Sequence, residues 1–252
     1  MRGFILFAFI LFSGFQAFTQ VVLGGDQATK KTRKERVSDE KDSLTKRVPD
    51  GFSSVYLIAN WSKTSRVLKE NVGFYGDSLG TRADETSLNL WSYGIGIQNS
   101  INANWMWDGG LAFSRNGESY RFSEQDSTFS YKTYYSYISM PIRINYTIGK
   151  GIKFYLGTGL MPQIFMKFKQ EQKWVYGDDN SGSETIETNS GYSSFVLSGL
   201  FNAGVMLNFG NGWSLLVSPE VRIQMTSSYM PQDSYIHKAR AYGISFGLTR
   251  NL

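Results

Sequence analysis

The chain has 252 residues and a net charge of +5, which suits one domain with a terminal extension. It contains no cysteine, which excludes disulfides, thiol catalysis and acylation at an exported cysteine. Hydrophobic residues make up 41%, yet no stretch reaches the roughly 18 consecutive apolar residues of a membrane-spanning helix. These features exclude a helical membrane protein but not a soluble protein or a membrane protein made of strands.

Residues 1–19 have the pattern of a cleavable signal peptide. Arg2 is followed by a short apolar core from Phe4 to Phe15, and Ala17 and Thr19 are the small residues before the cleavage site. We therefore expect the chain to be exported. The alternative is an amphipathic or buried N-terminal helix.

Residues 20–51 lack a sustained period and are predicted to be a charged, flexible periplasmic tail. From Lys30 to Arg47 there are eight Lys/Arg and four Asp/Glu, so most of the net charge lies here. A nucleic-acid-binding domain would carry basic residues on its folded surface, so we expect no nucleic acid as partner. The tail is either a contact for a periplasmic polymer or partner, or a solvated spacer.

After residue 51 the sequence alternates with a period of two, as in strands whose side chains point to opposite faces. Between Trp91 and Gln98, one face is large and apolar and the other carries serine, glycine and glutamine. A barrel in lipid needs apolar groups outside and small or polar groups inside. The same split recurs in eight segments: 52–62, 91–98, 104–115, 129–148, 153–169, 194–209, 213–226 and 239–252. They predict an all-β fold, an eight-stranded antiparallel up-and-down transmembrane β-barrel over residues 52–252.

The connections between these segments alternate in length. The long ones are 63–86, 116–128, 171–192 and 228–237, and the short ones are 99–103, 149–152 and 210–212. Outer-membrane barrels have short periplasmic turns and long outer loops, whereas a soluble sandwich has no reason to sort its loops in this way. We therefore expect the outer membrane as location. Connections 63–86 and 171–192 are the expected contacts for protein partners.

Aromatic side chains are expected where the barrel wall meets the lipid headgroups. The girdle near the short connections is predicted to contain Trp105, Trp107, Tyr146 and Trp213. The girdle near the long connections is predicted to contain Tyr131, Tyr134, Tyr135, Trp174 and Tyr192. Outer-membrane lipid is thus the expected surrounding of the barrel.

Four charged side chains fall on the predicted inward face: Asp108, Arg143, Glu220 and Arg222. A barrel of eight strands is just wide enough to be filled by side chains, and buried charges must be paired. These residues therefore predict a polar network that plugs the lumen. The alternative is a narrow path for ions or small solutes.

His237 is the only histidine and lies beside Asp233 and Ser234 in the last long connection. A lipid hydrolase would need such a base and nucleophile at the lipid interface, but no esterase signature surrounds them, so an exposed loop residue is the favoured prediction. The acidic segment 177–184 is either a surface loop or a weak calcium site without EF-hand spacing. With one histidine and no cysteine, we expect no transition-metal site, and we expect no cofactor.

The segment from Tyr137 to Tyr146 has Pro141 at its centre and is followed by a glycine-rich turn and then Tyr155-Leu156-Gly157-Thr158-Gly159. It resembles the tyrosine–x–x–x–proline–x(4)–tyrosine hairpin of PorT-like outer-membrane β-barrels of Bacteroidota-type bacteria. The resemblance covers roughly residues 52–252 and implies the barrel fold and insertion by the outer-membrane assembly machinery. Such barrels usually end in an aromatic residue, whereas this chain ends in Asn251-Leu252.

These observations predict a non-enzymatic outer-membrane barrel with a structural or outer-surface interaction role. The resemblance adds an alternative, because the namesake of the family takes part in a protein secretion and gliding apparatus, in which this chain would be an accessory subunit. A small pore or a lipid-acting barrel enzyme is the remaining alternative.

Overall fold

The computed structural model describes residues 53–71, 84–149, 151–177 and 180–252, so the predicted signal peptide and charged tail lie outside the described residues. None of the described residues belongs to a helix long and apolar enough to cross a membrane. The described strands are β1 (Ser53–Glu70), β2 (Glu85–Ser100), β3 (Trp105–Glu124), β4 (Ser127–Ser139), β5 (Ile142–Ile148), β6 (Ile152–Tyr176), β7 (Asn180–Thr188), β8 (Phe195–Gly210), β9 (Trp213–Gln224) and β10 (Tyr235–Asn251).

The strands close into a ring in which every neighbouring pair is antiparallel. Strand β1 pairs with β2 on one side and with β10 on the other, where Leu57 lies opposite Leu248. Strands β4 and β5 both pair with β3 and with β6, so they are two parts of one strand interrupted at Pro141, which has no backbone N–H to donate. Strand β7 pairs with β6 outside the ring. The predicted ring of eight strands is therefore confirmed.

Alternation along each strand separates an apolar exterior from a polar interior. In β5, Ile142 and Ile144 are each 50% exposed on the outside, whereas Arg143 and Asn145 are 8% and 1% exposed on the inside. In water this exterior would be costly, because apolar surface is unfavourable there, but lipid tails solvate it. We call the end of the barrel with the turns 101–104 and 211–212 the turn end, and the opposite end the loop end.

The strands extend farther toward the loop end than the alternation indicated. The connection predicted to be long over 116–128 is a two-residue turn at Gln125 and Asp126, and β1 and β2 continue into the segment predicted as connection 63–86. Residues 180–184 of the acidic segment belong to strand β7, so the surface-loop prediction is wrong for them. Away from lipid a strand needs no apolar face, so hydrophobic alternation fades although the backbone ladder continues.

Four strand segments form a sheet at the loop end, and its outer part, beyond Tyr120, extends past the last pair of β2 with β3. This loop-end sheet consists of residues 115–124, 127–136, 167–176 and 180–188. A β-bulge at Met166 shifts the pairing of β6 with β4 by one residue. Such a bulge reverses the faces of the residues that follow it. Phe168, predicted to face outward, therefore packs against buried Tyr135, and Lys167, predicted to face inward, is exposed.

Candidate functional site

The lumen near the turn end holds a network of charged and polar side chains from different strands. The Nε of Arg143 donates to Oδ1 of Asp108 over 2.8 Å, and its Nη1 donates to Oε2 of Glu220 over 3.2 Å. Asp108 also accepts from the Tyr56 hydroxyl over 3.3 Å and from Nδ2 of Asn145 over 2.7 Å. Burial of a charge is tolerated when it is paired and hydrogen-bonded. We call these five residues the turn-end network.

Arg222, the fourth residue predicted for this network, lies farther toward the loop end and is buried. Its Nη2 donates to Oδ1 of Asn116 over 3.1 Å and to the carbonyl of Arg115 over 3.2 Å. Among the described residues it forms no ion pair of the kind that Arg143 makes with Asp108 and Glu220. The four predicted charges are therefore divided into an ion-paired triad and a separate, amide-bonded arginine.

A layer of amide and hydroxyl groups crosses the lumen beyond this network. The Nε2 of fully buried Gln163 donates to the hydroxyls of Ser114 and Ser139 over 3.0 and 3.1 Å. Its Oε1 accepts a hydrogen bond from Ser198 over 2.6 Å. Gln163 thus ties β6 to three other strands and fills the space between them.

A second ionic cluster lies in the lumen toward the loop end. Arg66 forms ion pairs with Glu85 and with buried Glu118, the latter over 3.4 Å, and lies 3.4 Å from the Tyr131 hydroxyl. This cluster was not predicted, because Arg66, Glu85 and Glu118 fall in the segments predicted to be connections. A usable signal was present, since Arg66 and Glu118 continue the inward parity of β1 and β3.

Aromatic rings close the mouth of the barrel at the loop end. The ring of His237 lies 4.6 Å from that of Tyr135 and 5.0 Å from that of Tyr229. Tyr192 stacks on Phe168 at 5.1 Å and lies 5.8 Å from Tyr229, to which its backbone is bridged. We call these five residues the loop-end cap. Burial raises the pKa of the Tyr192 and Tyr229 phenols, which belong to connections outside the ring.

The prediction that His237 is an exposed loop residue is wrong. It lies in β10, is only 1% exposed and faces the lumen between Tyr135 and Tyr229. Oδ2 of Asp233 accepts a hydrogen bond from the backbone N–H of Met230 over 2.7 Å. A hydrolase acting on membrane lipid needs its base at the lipid interface, and His237 is turned away from it.

Among the described residues, small cavities lie beside the charged side chains of the lumen. One of about 20 Å³ is lined by residues of the turn-end network, among them Asp108 and Asn145. Another, of about 40 Å³, is lined by Glu220 and Arg222 among others. Since one water molecule occupies roughly 10–15 Å³ by this measure, the cavities suit about one to four water molecules. Cavities of this volume hold a few water molecules rather than a larger solute.

The outer wall carries two rows of aromatic side chains. At the turn end, Trp105 packs edge-on against Tyr146 at 5.2 Å, Trp107 is half-buried beside them, and the Arg250 guanidinium lies 5.3 Å from the Trp213 ring. The other row contains Trp61, Trp91, Tyr93 and Tyr242, all 44% to 53% exposed.

The row at the loop end differs from the predicted one. Tyr135 and Tyr192 belong to the cap, and Tyr131 stacks on Tyr120 in the loop-end sheet.

The apolar wall has the height of a membrane. The segment from Trp91 to Ser100 rises by about 23 Å at ~3.3 Å per residue and a tilt of ~40°. This rise is close to the ~25 Å apolar band of outer-membrane barrels.

Comparison with known proteins finds structural likeness only. No protein-family model matches the sequence, and no curated protein matches it. Solved structures that resemble the chain include the Neisserial surface protein NspA, with 13% identity, a TM-score of 0.43, and coverage of 79% of this chain and 97% of NspA. The outer-membrane protein AlkL has 14% identity and a TM-score of 0.40, with coverage of 91% and 97%. OprG from Pseudomonas aeruginosa has 10% identity and a TM-score of 0.36, with coverage of 80% and 96%. At these values the fold assignment rests on the strand pairing of the chain itself.

Proposed function

We propose that this chain is a non-enzymatic outer-membrane barrel whose lumen is closed and which acts through its loop-end sheet. The observation that carries the proposal is a lumen filled by side chains inside an apolar wall. Along the barrel axis, the lumen contains first the turn-end network, then the layer of polar groups around Gln163, and then the loop-end cap. Such filling supports a structural or surface role over a pore. The inward orientation of His237 argues against a lipid-acting enzyme.

The loop-end sheet is the surface best suited to a protein partner. Strand β7 pairs only with β6 among the described strands, so its other edge presents backbone groups that an extended segment of a partner could join. Ile186 and Tyr176 are 37% and 50% exposed on this sheet. We infer that a protein partner at the cell surface binds along β7.

Two measurements on the full chain test this proposal. Planar bilayers containing the purified barrel should show no conductance steps, and steady steps would overturn the closed lumen. A photo-crosslinking amino acid at Ile186 should yield a discrete protein adduct on intact cells. The same amino acid at Phe154, which is 59% exposed on the lipid-facing wall, is the control and should not. Absence of a discrete adduct at Ile186 would overturn the surface role.

The resemblance to PorT-like barrels supports a second candidate, an accessory subunit of a secretion or gliding apparatus. The observation that favours it is the motif from Tyr137 to Tyr146, in which Pro141 lies where β4 and β5 are interrupted. An accessory subunit should be recovered from detergent with stoichiometric partners. A barrel purified alone, with an adduct at Ile186 only on intact cells, would favour the surface role instead.

A further inference from the structure

The outward face of β1 and β10 carries a ladder of cations at the loop end. Ser65 lies opposite Arg240 and Val67 lies opposite Lys238, so Lys63 is diagonal to Arg240, and Lys238 is diagonal to Lys69. Diagonal neighbours on one face of an antiparallel pair are about 7–8 Å apart. Arg240 and Lys238 are two residues apart on β10 and point to the same side. The four cations therefore form one continuous basic strip.

Among the described positions on the outward face of these two strand segments, no acidic residue balances this strip. The other outward positions of the two strand segments, Ser65, Val67 and Ile236, are uncharged, and none of the four cations forms an ion pair among the described residues. The opposite side of the barrel differs. There Lys167 pairs with Glu187 over 2.6 Å, and Lys169 pairs with Glu171 over 2.7 Å.

The basic strip begins where the loop-end aromatic row ends. Lys63 lies directly opposite Tyr242 and two residues beyond Trp61, whose ring is 6.5 Å from that of Trp91. Such amphipathic rings lie at the level of lipid headgroups, and long basic side chains direct their charge into the same layer. The strip thus begins at the depth of the headgroup phosphates with Lys63 and extends outward from there to Lys69.

We propose that Lys63, Lys69, Lys238 and Arg240 bind the phosphates of an outer-leaflet glycolipid, with Trp61 and Tyr242 against the acyl-chain side of the same headgroup. Four cations along one strip match a ligand with more than one phosphate, because a single phosphate reaches only neighbouring positions. Anionic lipid attracts basic residues near its surface and removes the repulsion between them. The proposal rests on the membrane location proposed above but not on partner binding at β7.

Native mass spectrometry of the purified full chain, with diphosphoryl lipid A as the probe, tests this site. Replacing the four cations by glutamine (Lys63→Gln, Lys69→Gln, Lys238→Gln and Arg240→Gln) should lower the lipid-bound fraction at least about tenfold. The matched control removes the same charge from the other side through Lys132→Gln, Lys167→Gln, Lys169→Gln and Lys173→Gln, and it should bind lipid A as the unmodified chain does. Dephosphorylated lipid A should bind all three proteins equally weakly.

Three outcomes would overturn the inference. The first is undiminished lipid A binding by the variant of the strip, and the second is an equal loss in the control. The third is binding of a soluble polyanion, such as inorganic polyphosphate, as tightly as lipid A, which would identify a polyanion surface instead of a lipid site.

A heat-dependent gel shift checks that each variant is folded. If the fourfold variant does not fold, Lys63→Gln and Arg240→Gln singly should each weaken binding about threefold. A chain that folds in the outer membrane but does not bind lipid A overturns this inference alone.

Discussion

The two ends of the lumen are closed by different chemistry. The turn-end network consists of ion pairs and amides on strands of the ring, with Arg143 between Asp108 and Glu220. The loop-end cap consists of stacked rings, and two of them, Tyr192 and Tyr229, come from connections outside the ring. The strand ladder holds the first closure, whereas the second depends on how the connections fold over the mouth. Loss of the first closure should therefore unfold the barrel, and loss of the second should only open it.

The largest effect is expected from Arg143→Met. The substitution leaves the carboxylates of Asp108 and Glu220 in the lumen without the cation between them. Breaking a buried ion pair by removing one partner costs about 3–5 kcal/mol. Urea unfolding of the barrel in lipid vesicles, followed by the heat-dependent gel shift, measures the loss.

Arg222→Met is the matched control for that change. Arg222 is as buried as Arg143, but among the described residues its partners are Asn116 and the Arg115 carbonyl, both through hydrogen bonds. Removing it leaves no carboxylate pair without a cation, so the loss should be that of hydrogen bonds to a charged group, about 1.5–3 kcal/mol. A loss at Arg222 equal to that at Arg143 would contradict the division into an ion-paired triad and a separate arginine.

A smaller effect is expected from Tyr229→Ala in the loop-end cap. Tyr229 contacts the rings of His237 and Tyr192, and an aromatic pair contributes about 0.5–1.5 kcal/mol. Losing both pairs should favour opening of the cap by about 1–3 kcal/mol while the ring stays folded. Because His237 is the only histidine and is 1% exposed, its modification by diethyl pyrocarbonate reports the opening.

The modification rate of His237 should rise roughly 5- to 150-fold in Tyr229→Ala, in proportion to the open fraction. Tyr120→Ala is the control, since Tyr120 stacks on Tyr131 in the loop-end sheet and is not part of the cap. Equal rates in Tyr229→Ala and in the unmodified chain would show that the cap does not shield the histidine. The urea midpoint of Tyr229→Ala should change much less than that of Arg143→Met.

The sequence predicted the turn-end half of the barrel better than the loop-end half, and lipid is the reason. Within the apolar band every second residue must be apolar, so the inward parity of Asp108 and Arg143 could be deduced from alternation. Beyond the band this constraint disappears, and β3 and β4 continue as strands through a segment predicted to be a loop. Only within the band do the strand geometry and the surrounding lipid both require apolar residues at every second position.

The cap was unpredictable for two further reasons. The bulge at Met166 reverses the faces of the residues after it, so Phe168 turns inward although a regular alternation places it outside. Tyr192 and Tyr229 come together through the folding of two connections that are distant in sequence. Contacts of this kind follow from tertiary structure, and no local period encodes them.

Packing in the turn-end half can be tested with Gly157→Ala. A Cβ at Gly157 would lie 2.0 Å from Oδ1 of Asn145 and 2.5 Å from Oδ1 of Asn202, so both amides would have to move. Overpacking of this kind costs about 1–3 kcal/mol, and the low end is expected because side-chain ends can shift. In Gly199→Ala the nearest atom is 3.9 Å away, so this control should be nearly neutral. Equal urea midpoints for the two variants would indicate that the lumen is loosely packed.

The smallest effect is expected from alkaline pH, which should weaken closure of the loop-end cap without unfolding the barrel. Burial raises the pKa of Tyr192 and Tyr229 above the ordinary value of 10.0, so both phenols stay neutral in the closed cap while they ionise in an open one. The free energy that the two phenols contribute to closure of the cap is therefore complete below pH 10. It is lost as the pH rises from 10 through their raised pKa values. Phenolate absorbance of the unmodified chain minus that of Tyr229→Phe should therefore titrate above pH 10. A difference that titrates at or below pH 10 would mean that Tyr229 is in contact with water and that aromatic packing does not close the loop end.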